Sequence, residues 1–146
     1  MPRPETPAIA ADIIIELSDY PNKPIVLIER AFPPYGWAIP GGFVDVGEKV
    51  ETAAVREARE EVSLDVTLIA LLGIYSDPAR DSRGHTVTAC YIASAKGRPV
   101  AADDAKNCQI FDIEALPELL AFDHAKVLAD YKVFRERGTV TVLEAP

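Results

Sequence analysis

Three glutamates stand close together in the segment Arg56-Glu57-Ala58-Arg59-Glu60-Glu61. In a helix each residue advances by about 100°, so Glu57, Glu60 and Glu61 share one face. Helical side chains three or four residues apart are about 5–6 Å apart at Cβ, so these carboxylates can converge on one cation. Mg²⁺ and Mn²⁺ prefer such oxygen ligands. The spacing therefore favours a metal site, although a helix face that is merely solvated has the same spacing.

A glycine pair precedes the acidic helix. Pro40-Gly41-Gly42 follows the apolar stretch 37–39, and glycine there indicates positive φ or a close approach by another group. A backbone carbonyl in such a bend can face a cation. Glu48 lies eight residues before Arg56, within reach of its guanidinium, and this pair would brace the loop against the helix.

The elements that must position these residues follow from apolar periodicity and turn residues. The predicted strands are Asp12–Leu17, Pro24–Arg30, Leu64–Leu72, His85–Ala95 and a shorter one at Cys108–Ile113. The predicted helices are Glu51–Val62 and Asp123–Arg137, the second followed by Gly138 as a C-cap. In the first helix we expect an apolar stripe beside the acidic one, formed by Ala54, Val55, Ala58 and Val62.

Length and charge limit the function. With 146 residues, a single domain over residues 1–146 is expected. The net charge of −8 disfavours nucleic-acid binding through phosphates, whereas a bound divalent metal can still attract a small polyanion. The first eleven residues contain no long apolar run, so neither a signal peptide nor a membrane span is expected. Two cysteines without repeated Cys/His spacing predict no zinc site and a reducing, cytoplasmic compartment.

The segment from Gly41 to Leu64 resembles the Nudix box. Six residues stand at the spacing of that motif: Gly42, Glu48, Arg56, Glu57, Glu60 and Glu61. Ser63 takes the place of the last glycine of the motif, and serine costs more than glycine there if φ is positive. The resemblance implies an α/β fold, a Nudix-type α/β/α sandwich with a mixed central β-sheet. It also implies hydrolysis of a nucleoside diphosphate linked to another group.

The resemblance implies a Mg²⁺ site, in which Mn²⁺ can substitute, formed by the carbonyl of Gly41 and the carboxylates of Glu57, Glu60 and Glu61. It implies that Glu48 and Arg56 orient this site. The family varies in which carboxylate takes the proton of the attacking water, and Glu61 and Glu60 are both candidates here.

The substrate is indicated by residues outside the box. Pro78, fifteen positions after Ser63, is similar to the pattern of ADP-ribose pyrophosphatases, as is the surrounding run 75–85. This similarity implies that ADP-ribose is cleaved to AMP and ribose 5-phosphate. A proline-initiated surface turn would explain Pro78 equally well. Relatives that cleave ADP-ribose are often dimers, so a homodimer is a further expectation.

Several side chains are candidates for substrate contact. Arg80 and Arg83 would contact phosphate or ribose, or would pair with the nearby Asp77 and Asp81. Aromatic residues that could stack on adenine, or pack in the core instead, are Phe32, Tyr35, Trp37 and Tyr75. The segment Phe122-Asp123-His124 also resembles a recurrent Nudix sequence, with Asp123 as a helix N-cap and His124 more often structural than catalytic.

Two alternatives stay open at this point. One is an enzyme that removes oxidised nucleoside triphosphates such as 8-oxo-dGTP from the nucleotide pool. The other is a nucleotide-sensing module that has lost turnover, against which the complete set of glutamates argues. Asp103 and Asp104 are either an additional acidic group of the site or an exposed acidic turn.

Overall fold

A computed structural model describes residues 2–102, 105–141 and 143–146. Within these residues the strands are β1 (Ala8–Leu17), β2 (Ile25–Arg30), β3 (Trp37–Ala38), β4 (Gly41–Phe43), β5 (Thr67–Tyr75), β6 (Thr86–Ala95) and β7 (Ala105–Phe111). The helices are α1 (Val50–Val62) and α2 (His124–Arg137), and a short 3₁₀ turn covers Pro78–Arg80. Asp103 and Asp104 lie outside the described residues.

The seven strands form one mixed sheet centred on β1. Strand β1 pairs in parallel with β6 over ten residues, from Ala8 opposite Thr86 to Leu17 opposite Ala95. It pairs antiparallel with β2 at one end and with β4 at the other. Strand β5 is antiparallel to β6, while β3 and β7 both pair with β2. The prediction of an α/β fold with a mixed sheet is confirmed.

One helix covers each face of the sheet. Because side chains alternate along a strand, Ile13 and Ile15 of β1 point to one face and Ile14 to the other. The first face packs against the small side chains of α1, including Ala54 and Ala58. The second packs against Val127, Leu128 and Tyr131 of α2. The layers therefore form an α/β/α sandwich. No helix within the described residues has both the length and the apolar character that crossing a bilayer requires.

The ends of some elements differ from the prediction. The strand expected from Leu64 begins at Thr67. Helix α1 ends at Val62 and is capped by Ser63, which has a left-handed φ of 61°, and Leu64 is then buried in the core. Strands β3 and β4 have only two and three residues, too short for an alternating pattern to reveal.

The apolar stripe of α1 is also different. Val55 is exposed and Ala53 is buried, contrary to the expected stripe. The buried arc runs through Ala53 and Ala58 and includes Glu61, which is only 7% exposed. An acidic side chain therefore lies inside the buried face of the helix rather than beside it.

Candidate active site

The glycine pair and two of the glutamates touch each other. The N–H of Gly41 donates to Oε1 of Glu61, with 3.2 Å between nitrogen and oxygen. A Cβ added at Gly42 would lie 2.5 Å from Oε1 of Glu57, and one added at Gly41 would collide with Asp12. Neither glycine has positive φ. Of the two explanations for these glycines, close approach is therefore the correct one.

Burial makes these two carboxylates hard to ionise. Loss of solvent, reinforced by the charge of Glu57, raises the pKa of Glu61 to about 8. Burial likewise raises the pKa of Glu57, against the lowering effect of Arg56. Removing a carboxylate from water is costly unless positive charge compensates it. The pair therefore suits a site that receives a cation.

Arg56 ties the glycine loop to the acidic helix. Its guanidinium holds Glu48 through two hydrogen bonds of 2.7 and 2.9 Å, as the spacing predicted, and lowers the pKa of Glu48 to about 2. It also donates to Glu57 at 3.0 Å, to Glu60 at 3.1 Å and to the carbonyl of Phe43 at 3.1 Å. Arg56 therefore fixes the loop and also binds two of the three glutamates.

The three glutamates face a cavity of about 530 Å³, and they are called the acidic wall below. As the side chains stand, no three acidic, histidine or cysteine residues of the described chain converge closely enough to hold a metal ion. The donor set nevertheless fits a hard divalent cation, because it consists of carboxylate oxygens of which one is buried and short of compensating charge. Arg56 occupies part of this set in the structure.

The same cavity is also lined by three arginines, Arg30, Arg80 and Arg83, and these are called the basic wall below. Arg80 is buried, its side chain only 4% exposed, and it bonds Asp123 through two contacts of 3.1 and 2.8 Å. Arg83 bonds Asp81 at 3.0 and 2.9 Å, which lowers the pKa of Asp81. The expected pairing of Arg83 is confirmed.

Arg80 pairs with Asp123 and not with the nearby Asp77, which was one of the alternatives. Asp77 instead accepts the N–H of Ala79 at 2.8 Å and begins the 3₁₀ turn. Because that turn directs Arg80 inward, its guanidinium reaches Asp123, 43 residues further along the chain.

An aromatic ring stands between two of these arginines. The guanidinium carbons of Arg30 and Arg83 lie 4.8 and 5.3 Å from the ring centre of Phe122, within the range of cation–π contacts. Phe122 has left-handed φ of 55° and lines the cavity. Phe32 also lines the cavity and is 60% exposed. The sequence singled out both phenylalanines, but it assigned no cavity contact to Phe122.

Four of the substrate candidates lie elsewhere, and one of them, Tyr35, is exposed outside the cavity lining. Tyr75 is buried, and its hydroxyl is 2.8 Å from Asp130 and 3.1 Å from Thr141. Trp37 packs edge-on against Phe111, with 5.1 Å between ring centres. Pro78 starts the 3₁₀ turn. The cavity lining includes none of Pro78, Tyr75 and Trp37. The two aromatic rings pack in the core instead.

Sequence reasoning missed the buried Asp12, around which polar side chains gather at the cavity. Asp12 of β1 accepts a hydrogen bond of 2.9 Å from Thr88, and His124 and Arg80 lie 3.6 and 4.0 Å from the same oxygen. The available signal was a charged residue inside the apolar strand Ala8–Leu17. It does not reveal which distant residues would surround that charge.

This combination of a mixed sheet between two helices and a buried acidic helix beside a glycine pair is that of a Nudix hydrolase. The chain belongs to the NUDIX family, since the family model described as NUDIX domain matches residues 6–131.

Individual relatives and solved structures are also similar to this chain. The chain is 48% identical over 128 residues to an ADP-ribose pyrophosphatase of Methanocaldococcus jannaschii, covering 86% of this chain and 73% of the relative. A crystal structure of a MutT/nudix family protein from Enterococcus faecalis superposes with a TM-score of 0.78 at 29% identity, covering 92% of this chain and 65% of that one. The NUDIX domain of Shewanella oneidensis NrtR, solved in complex with ADP ribose, shares the fold with a TM-score of 0.73 at 24% identity, covering 92% and 90%.

Proposed function

We propose that this Nudix hydrolase cleaves the pyrophosphate bond of ADP-ribose in a metal-dependent reaction that yields AMP and ribose 5-phosphate. The observation that carries the proposal is the cavity of about 530 Å³, which three glutamates and three arginines line together. The similarity to the Methanocaldococcus jannaschii ADP-ribose pyrophosphatase supports this choice of substrate. The fold shared with a NUDIX domain solved in complex with ADP ribose adds support.

The metal is proposed to be Mg²⁺, with Mn²⁺ able to substitute. Glu57, Glu60 and Glu61 would hold it together with the carbonyl of Gly41. When bound, such an ion neutralises the diphosphate and makes a coordinated water more acidic. Glu48 would act through Arg56, because it holds the guanidinium in place. Arg56 would then bind some of the glutamate oxygens, and the ion would bind the others.

The two candidates for the proton acceptor differ in their surroundings. The side chain of Glu60 is 45% exposed toward the cavity and solvent, whereas Glu61 is buried against Gly41. Both line the cavity, so the proton of the attacking water can pass to either. We therefore retain Glu61 and Glu60 as the proposed general bases.

The basic wall is proposed to bind the diphosphate and the base. Arg83 is half-exposed, so it can reach an anion while keeping its bond to Asp81. Arg80 is held behind it by Asp123 and would support the turn that presents Arg83. Phe32 exposes a π face at the cavity and is the proposed stacking partner of adenine.

A product assay tests the reaction. The purified chain with Mg²⁺ is incubated separately with ADP-ribose and with a panel of nucleoside triphosphates that includes 8-oxo-dGTP, and products are separated by chromatography. AMP and ribose 5-phosphate from ADP-ribose support the proposal. Pyrophosphate released from the triphosphates, with ADP-ribose left intact, would favour nucleotide-pool sanitising. Binding of ADP-ribose without turnover would favour a sensing module.

Compartment and assembly are further parts of the proposal. Cys90 and Cys108 are both free thiols, which supports a reducing compartment, and we propose the cytoplasm. The net charge of −8 supports a small-molecule substrate without nucleic-acid binding. A homodimer stays a prediction, and the mass of the protein in solution by light scattering tests it.

A further inference from the structure

The first residue of α2 bonds the segment that leads into the glycine pair. The backbone N–H of Ile39 donates to Nδ1 of His124 across 3.0 Å, and both residues are buried. Because a backbone amide can only donate, Nδ1 must be the acceptor and carries no hydrogen. In the neutral imidazole the hydrogen is then on Nε2.

The other side of the ring faces an acid that suits this tautomer. Nε2 of His124 lies 3.6 Å from Oδ2 of Asp12, which also accepts the Thr88 hydroxyl at 2.9 Å. The guanidinium of Arg80 is 4.0 Å from the same oxygen. A carboxylate beside Nε2 favours the N–H on that nitrogen and leaves Nδ1 as an acceptor. Asp12 therefore orients the ring toward Ile39.

The segment 39–41 is held at each of its three residues. Ile39 bonds His124, the carbonyl of Pro40 accepts from Ile13 at 2.8 Å, and Gly41 donates to Glu61. Two of these contacts come from β1 and from α1, the helix that carries the acidic wall. Among the hydrogen bonds of the described residues, the one at His124 ties the segment to α2, where Ile39 also packs against the core. Loss of the Nδ1 acceptor would leave a buried N–H unpaired two residues before Gly41.

We propose that His124 is a positioning residue of the metal site. Through Ile39 it fixes the backbone of Gly41 against Glu61, so the affinity of the site for a divalent cation depends on the acceptor at Nδ1. Asp12 supports this role by orienting the ring. The inference rests on the proposed function, because it assumes that the cation binds at the acidic wall. His124 lines the same cavity but is not one of the proposed ligands of the ion.

Two variants of His124 distinguish the effect of the hydrogen-bond acceptor from the effect of side-chain volume. His124→Asn places a carbonyl oxygen near the position of Nδ1, whereas His124→Leu fills similar space without an acceptor. Mn²⁺ is titrated into each full-length protein, and the free ion is measured by electron paramagnetic resonance at a temperature well below unfolding. We expect the dissociation constant to rise at least fivefold in His124→Leu and to stay within about twofold of the wild type in His124→Asn.

Val127→Ala is the matched control, since Val127 is buried on the same helix and belongs to the core. It should lower the Tm without changing the Mn²⁺ affinity. Equal affinity in His124→Leu and the wild type would overturn the positioning role, and so would equal loss in the Leu and Asn variants. If His124→Leu does not fold, His124→Gln replaces it, because its longer side chain moves the polar group away from Ile39. Wild-type affinity in His124→Gln would then overturn the role.

Glu61→Gln separates this inference from the proposed function. If the wild type binds Mn²⁺ and Glu61→Gln does not, the metal site stands, and the His124 variants alone decide the positioning role. If the wild type does not bind Mn²⁺, the proposed metal site fails and the positioning role fails with it.

Discussion

The two walls of the cavity differ in how their charged side chains are paired. On the basic wall, Arg80 and Arg83 each hold an aspartate of their own through paired hydrogen bonds. On the acidic wall, Glu57 and Glu60 share the single guanidinium of Arg56, and Glu61 accepts the backbone N–H of Gly41. Arg80 and Arg83 are therefore neutralised within the fold, whereas the acidic wall has more carboxyl groups than cationic partners.

This difference explains how an acidic protein can be suited to a polyanionic substrate. Arginines already bonded to aspartates offer shape and hydrogen bonds but little net field. A diphosphate would be repelled by the acidic wall unless a cation were placed between them. Under the proposed function the ion is therefore needed for catalysis, and the arginines have a smaller role in binding. Each change below alters one wall and leaves the other intact.

The largest effect is expected on the acidic wall. Glu61→Gln should lower kcat by more than about tenfold, which corresponds to at least about 1.4 kcal/mol of barrier, because it removes a proposed metal ligand and a candidate base. The fold should persist, as circular dichroism can verify. Glu136→Gln, at an exposed position near the end of α2, is the matched control and should leave kcat unchanged. Full activity in Glu61→Gln would remove Glu61 from the mechanism.

A smaller effect is expected on the basic wall. Arg83→Gln should raise KM for ADP-ribose about fivefold, or about 1 kcal/mol, with kcat nearly unchanged, since the arginine binds substrate and transition state alike. Arg98→Gln changes the same residue type at an exposed position outside the cavity and is the control. Steady-state kinetics distinguish the cases. A loss of kcat at constant KM would contradict the assigned role.

Outside both walls, the end of α1 offers a test of stability alone. Ser63 has φ of 61°, a conformation in which glycine is favoured, although its hydroxyl bonds the carbonyl of Val100 at 3.0 Å. Ser63→Gly should raise the free energy of unfolding by about 0.5 kcal/mol and leave kcat unchanged. Ser63→Ala keeps the strain and loses the hydrogen bond, so it should destabilise the protein. Denaturant titration measures both, and destabilisation by glycine would show that the hydrogen bond outweighs the strain.

The smallest effect concerns acid stability beside the acidic wall. Arg56 lowers the pKa of Glu48 from 4.5 to about 2, so this ion pair stabilises the fold above pH 4.5 and loses its effect as pH falls toward 2. The Tm difference between the wild type and Glu48→Gln should therefore shrink as the pH is lowered from 5 to 3. Thermal scans across this range measure it. A difference that grows on acidification would contradict the assigned direction.

The parts of the site that were predictable are local in sequence. Gly42, Glu48, Arg56 and the three glutamates lie within twenty residues, and helical geometry relates most of them. That is why the pair of Glu48 with Arg56 and the close approach at the glycines could be anticipated. The two helices and the long strands followed from periodicity for the same reason.

The parts that were not predictable depend on distant contacts. His124 lies 85 residues from Ile39, and Arg80 lies 43 residues from Asp123. No local spacing relates such partners. The sequence around an aromatic residue with a polar tip, such as Tyr75, looks the same whether the residue lies in the core or beside a cavity. Only the packed fold decides which of these two positions the residue takes.

The central claim is that the acidic wall gathers a divalent cation. Thermal unfolding of the wild type and of Glu61→Gln, with and without millimolar Mg²⁺ at equal ionic strength, tests it most directly. A ligand bound only by the native state stabilises it by about 2.7 kcal/mol at one hundred times its Kd. We predict that Mg²⁺ raises the Tm of the wild type by several degrees and that most of this rise is absent from Glu61→Gln. An unchanged Tm in the wild type, or an equal rise in both proteins, would contradict the account.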